Sequence, residues 1–257
     1  MRGINTLFQA NPLFLAQQKV ICAMNFGVSN ATAAFGPGVA KTAFNFVFTF
    51  DYEKEAVRQI THGTKTVLAA LDQKHKGKFD LEPSPYQDML WLKVCSEKDG
   101  AIHTGSGSEV PLKGFWCPYV SIGNQGQGQL QNVPYVDVPR VLPHRGYVFT
   151  GAMNGCLIVI TDIGHGMIRF YHDSTHNMAM FANQNVLYSL GYDAASNTQG
   201  YYAHQGPPTV LRTSCNFMHY SNQHWYLVCQ PQIDVIGGGG LRYDFNPQIA
   251  PFEVQIT

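Results

Sequence analysis

Several stretches of the chain carry strand-like apolar patterns, and recurrence at every second position marks a strand with one buried face. Residues 42–50 show it most plainly, with Phe44, Phe46, Phe48 and Phe50 set against Asn45, Val47 and Thr49. Residues 86–96, 136–141, 209–216, 224–230 and 252–256 are expected strands on the same grounds. The stretch 183–192 fits either a short helix or a strand. One segment has helical spacing instead. Between Asp51 and Lys76, Val57, Ile60, Thr64, Val67, Leu68 and Leu71 fall on one helical face. Asp51 supplies a cap, Glu53 and Glu55 oppose the positive end of the dipole, and Gly77 follows Lys74, His75 and Lys76. Many strands and one helix predict an α+β domain, a mixed or antiparallel β-sandwich flanked by helices. No repeat or linker divides residues 1–257, which read as a single domain.

The most informative pattern is TGAMNGCLIVITDIGHGMIRFYHD, residues 150–173. Two runs rich in Ile, Val, Phe and Tyr, 156–161 and 167–172, flank the loop 162–166 and predict a β-hairpin. A hairpin symmetric about Gly164 sets Ile160 opposite Ile168, Ile158 opposite Phe170, and Cys156 opposite His172. All six then share one face. Directly opposed side chains have Cβ atoms roughly 5 Å apart, which suits a thiolate–imidazolium pair. Asn154-Gly155 is turn chemistry, and a sharp bend there lifts the thiol and frees backbone N–H groups as oxyanion donors. Thr150 is placed to hold the second imidazole nitrogen. The expected catalytic trio is Cys156 as nucleophile, His172 as base and Thr150 as orienting group, with Asn154 and Gly155 at the turn.

Composition narrows the function classes. Only 13% of residues are charged and 12% are aromatic, with 25 Gly and 14 Pro, which favours strands and ordered loops over surface helices. The 17 basic and 17 acidic residues cancel, and no like-charge block offers a nucleic-acid surface. No stretch reaches the roughly 20 apolar residues of a membrane span, and the N-terminus lacks the form of a cleaved signal peptide. Six cysteines without a CxxC pair read as thiols of a reducing compartment. Cys215, His219, His224 and Cys229 are zinc-compatible types without a tight ligand pair, and His172 with His176 needs a helix that the FYHD run argues against. No metal and no other cofactor is expected. Among rival bases, His165 falls at the hairpin tip and His144 stays open. The Gly-rich stretches 105–107 and 123–128 lack the Lys-Ser/Thr of a phosphate loop.

Thr150, Cys156 six residues later and His172 sixteen after that resemble, in order and spacing, the bacterial glutamine deamidases that share a Ser-Gly-Cys motif. That group includes the cytotoxic necrotizing factor catalytic domain, the Burkholderia lethal factor and the chemoreceptor deamidases. Here Asn154 stands where the family has Ser, giving Met-Asn-Gly-Cys. The resemblance spans about 25 of 257 residues. It implies a β-sandwich flanked by helices and conversion of a protein glutamine to glutamate. The implied partner is a protein carrying a reactive glutamine, a host small GTPase or translation factor for the toxin members, or a bacterial receptor. It further implies a toxin or effector, secreted or injected without a cleaved signal and acting in a host cytosol. Peptide cleavage and acyl transfer to an amine use the same trio. The non-enzymatic alternative is a β-rich binding module in which Cys156 is simply packed.

Overall fold

The computed structural model describes residues 3–23, 39–41, 46–51, 56–62, 65–69, 76–83, 88–94, 96–98, 101–103, 109–117, 129–151, 153, 155–191, 211–237, 240–247 and 249–257. These are mostly β-sheet, with two short helices, α1 (Ile4–Ala10) and α2 (Pro12–Gln18). The helix expected between Asp51 and Lys76 is replaced by antiparallel strands, Ala56–His62 and Lys65–Ala69, and Lys76 opens another at Lys76–Pro83. β-branched residues explain the difference. Val57, Ile60, Thr61, Thr66 and Val67 lose χ1 freedom in a helix and suit a pleated sheet. The α+β expectation therefore becomes a β-rich fold, and the helices lie where none was foreseen. The ambiguous stretch 183–192 contains the strand Asn185–Leu190.

The described strands form three sheets. The largest runs Val20–Ala23, Met89–Val94, Lys76–Pro83, Leu112–Cys117, Gly146–Thr150, Leu211–Ser221, His224–Gly237 and Gly240–Phe245, with Phe252–Gln255 also pairing on His224–Gly237. Two of its pairings are parallel, Val20–Ala23 with Met89–Val94 and Leu112–Cys117 with Gly146–Thr150. A four-stranded antiparallel sheet runs Tyr135–Pro139, Met167–Asp173, Leu157–Gly164, Asn185–Leu190. The third sheet has six strands between Val39 and His103.

One face of the large sheet packs Phe79, Phe149 and Phe217 against Phe8, Leu15 and Ala16 of the two helices. The opposite face contributes Val148, Met218 and Trp225 to a cluster shared with Val136, Ile158, Ile160, Ile168 and Phe170 of the four-stranded sheet. Each such fully buried side chain contributes about 1.5–3 kcal/mol. Buried amides tie down the N-terminal segment. Gln230 accepts from the Ile21 N–H at 2.7 Å and donates to the Ala16 and Lys19 carbonyls, while Gln232 donates to the Ile21 carbonyl at 2.7 Å. Glu109 caps α1 through the Ile4 and Asn5 N–H groups, both at 2.6 Å.

Candidate active site

The chain crosses from the large sheet to the four-stranded sheet between Thr150 and Cys156. Strand Gly146–Thr150 is buried at every residue and paired on both sides, with Cys117 in register with Thr150 and Phe217 with Phe149. Met153 then exchanges backbone hydrogen bonds with Ser214, both at 2.9 Å, and its carbonyl accepts from Thr213 Oγ1 at 2.8 Å. Gly155 has φ +82°, the left-handed bend that a glycine before the cysteine foretold. Cys156 follows, directly ahead of strand Leu157–Gly164. Asn154 lies outside the described residues.

The hairpin forms, with a different register. His172 pairs with Ile158 and Ile160 with Phe170, so Cys156 is not directly opposite His172. The cause is the turn. The expected five-residue loop is mostly strand, the turn is His165-Gly166, and a bulge lies between Asp162 and Gly164. Partners move by two residues, and a two-residue shift leaves every side chain on its original face. Cys156 and His172 therefore still share the inner face, as diagonal neighbours across Ile158. Diagonal neighbours are separated by roughly 7–8 Å, with Cβ atoms somewhat closer, less favourable than the opposed pairing.

Thr150 and His172 meet as expected. Thr150 Oγ1 lies 2.6 Å from His172 Nδ1 and donates to the Cys117 carbonyl at 3.0 Å. The carbonyl is acceptor only and the hydroxyl has one proton, so that proton is committed to Cys117. Thr150 then accepts from Nδ1–H, and in the neutral ring the lone pair sits on Nε2. The hydroxyl thus fixes the tautomer a general base needs. Sequence reasoning missed the Cys117 carbonyl, because nothing in the sequence shows that 112–117 pairs in parallel with 146–150.

The site is closed. Thr150 and His172 are 0% exposed and Cys156 is 4% exposed. Burial pushes the His172 imidazole down from its ordinary 6.5 to about 3, so near neutral pH it carries no charge. Burial therefore works against the expected thiolate–imidazolium pair in this closed state. Cys117 is also fully buried, with Sγ 3.5 Å from the Phe170 carbonyl, and burial raises its thiol far above the usual range. That makes it unreactive.

Among other candidates, His144 and His165 are exposed, His165 at the hairpin tip. Cys215 and Cys229 belong to clusters on opposite faces of the large sheet and so do not converge on one ion. No cluster of three or more His, Cys, Asp and Glu side chains is arranged for a metal among the described residues. No helix there is long and apolar enough to cross a membrane.

Residues 117–239 match a family described as the Mcf1 activator-binding domain. That segment contains Cys117, Thr150, Cys156 and His172. Among solved structures, the chain is similar to the C-terminal domain of CNFy from Yersinia pseudotuberculosis, at 8% identity and a TM-score of 0.31, over 56% of this chain and 62% of that one. No curated protein matches the chain.

Proposed function

We propose that the chain is a cysteine-dependent amidohydrolase that converts a glutamine side chain on a protein to glutamate, built between two sheets packed as a sandwich and closed until a protein partner opens it. The observation that carries this reading is the hydrogen-bonded line from the Cys117 carbonyl through Thr150 to His172 Nδ1. A buried imidazole needs a partner for its N–H in any case; what supports the enzyme reading is that this partner sits on Nδ1 and leaves the Nε2 lone pair for the Cys156 thiol on the same face.

In the opened site His172 Nε2 takes the Cys156 proton, and the thiolate attacks the carboxamide carbon. Backbone N–H groups at the Gly155 bend stabilise the oxyanion. The tetrahedral adduct expels ammonia, which takes the proton from the imidazolium, leaving a thioester. Water, deprotonated by Nε2, hydrolyses the thioester, and the thiol is restored. Thr150 holds the ring throughout, as the Asp does in a serine triad.

The partner requirement follows from burial. A neutral, fully enclosed imidazole becomes an effective base only when the site admits substrate and water. The matched family is described as binding an activator, and the same role is assigned here to a protein that docks on this chain. The reading places the chain among toxins or effectors acting in a host cytosol.

A second reading is favoured by the 4% exposure of Cys156 and the burial of His172: a protein-binding module in which both are packing residues. Site-by-site alkylation, followed by peptide mass spectrometry across pH 5–9, separates the two. As an enzyme, the chain samples its open state transiently even without the partner, which binds and holds that state, so Cys156 is exposed part of the time. Cys156 then labels faster than Cys215 and Cys229, which are fully buried, and His172→Ala slows it at least tenfold below the free-thiol pKa of about 8.5. Labelling at the pace of the other buried thiols, indifferent to His172, leaves the binding module.

A further inference from the structure

A cavity of about 160 Å³ opens on the helix-bearing face of the large sheet, on the other side of that sheet from the Cys156 segment. Its floor holds Tyr147, His219 and Glu253, and its rim holds Arg145, Ser221 and the corner between α1 and α2 at Asn11. His219 Nε2 lies 2.6 Å from Glu253 Oε2, and the imidazole stacks on Tyr226 at 5.2 Å with a 16° tilt. The His219 side chain is only 9% exposed.

Two charged groups of this cavity keep unused hydrogen-bonding capacity. Burial lowers the affinity of His219 for a proton, with Arg145 adding to the effect and Glu253 opposing it. His219 Nε2 engages only Oε2 of Glu253, and the other carboxylate oxygen makes no hydrogen bond among the described residues. Arg145 is exposed and makes no ion pair among the described residues. Asn11 uses its side-chain oxygen to cap α2 at Phe14 N, and its amide N–H groups remain available as donors. A carboxyl group with an unused oxygen beside a stacked ring, and an exposed guanidinium lining the same cavity, together suit a ligand bearing both charges in reverse order.

We propose that this cavity binds a small zwitterion of the α-amino-acid type, its carboxylate on Arg145 and its ammonium on the free oxygen of Glu253. A 150 Å³ cavity accepts benzene, so about six to ten heavy atoms fit, the size of serine or glutamine. Either charge alone leaves the other protein group uncompensated, so monopolar analogues bind less tightly.

Isothermal titration of the full chain with L-serine and L-glutamine, beside propionate and propylamine, tests the assignment. At least one amino acid is expected to bind one-to-one and at least tenfold tighter than both monopolar probes. Arg145→Ala and Glu253→Gln should each weaken it at least tenfold, with circular dichroism melts confirming the fold, while Cys156→Ala leaves it unchanged. The site is overturned if neither amino acid binds, if propionate or propylamine binds as well, or if both folded variants bind like the wild type.

Discussion

Replacing Thr150 with Val removes one oxygen and keeps shape and β-branching, so its effect isolates the hydroxyl. That oxygen accepts from His172 Nδ1 at 2.6 Å and donates to the Cys117 carbonyl at 3.0 Å, in a fully buried setting. Val leaves the Nδ1–H without its acceptor, which costs about 1–3 kcal/mol, and deletes a bond worth about 1 kcal/mol to the carbonyl. The expected loss is therefore roughly 2–4 kcal/mol. Thr150→Ser keeps the hydroxyl and loses one methyl, at about 1 kcal/mol. Urea unfolding of both variants measures the difference. Thr150→Val within about 0.5 kcal/mol of wild type, or Ser as damaging as Val, refutes the hydroxyl line.

Three further outcomes follow from the same geometry. Folded His172 titrates near 3 against an ordinary 6.5, so below 6.5 the unfolded chain binds a proton that the folded chain refuses. Stability should fall as pH drops from 6.5 towards 3, by up to about 1.4 kcal/mol per unit from this group, and His172→Gln should flatten that slope in urea midpoints. Gly155→Ala forces a side chain onto φ +82° and should cost about 1–2 kcal/mol in thermal unfolding. Gln230→Leu strips the Ile21 N–H and the Ala16 and Lys19 carbonyls of their partner. Hydrogen exchange over residues 12–23 should then rise by at least tenfold, while the Met167–Asp173 strand stays protected.

Local chemistry made the hairpin and its faces readable. The Ile, Val and Phe runs demand strands, Gly155 requires its bend, and side-chain alternation survives a two-residue change of register. The exact partner of Cys156 was not readable, because it depends on a bulge between Asp162 and Gly164. The Asp51–Lys76 expectation failed although its apolar spacing is helical, because β-branched Thr, Val and Ile favour strands. The burial of His172 is a tertiary property, created when the four-stranded sheet closes on the large one. No local pattern encodes it, and it works against the expected ion pair. The Cys117 carbonyl belongs to the same class, a contact created by parallel pairing of strands about 30 residues apart.

The tautomer of His172 is the most direct test of the account. Nitrogen-15 NMR of the labelled imidazole, assigned with His172→Gln, reads protonation at each ring nitrogen. The account requires a neutral ring from pH 5 to 8, with the proton on Nδ1 and a bare Nε2, and loss of that preference in Thr150→Val. An imidazolium at pH 7, or a proton resident on Nε2 in the wild type, contradicts it.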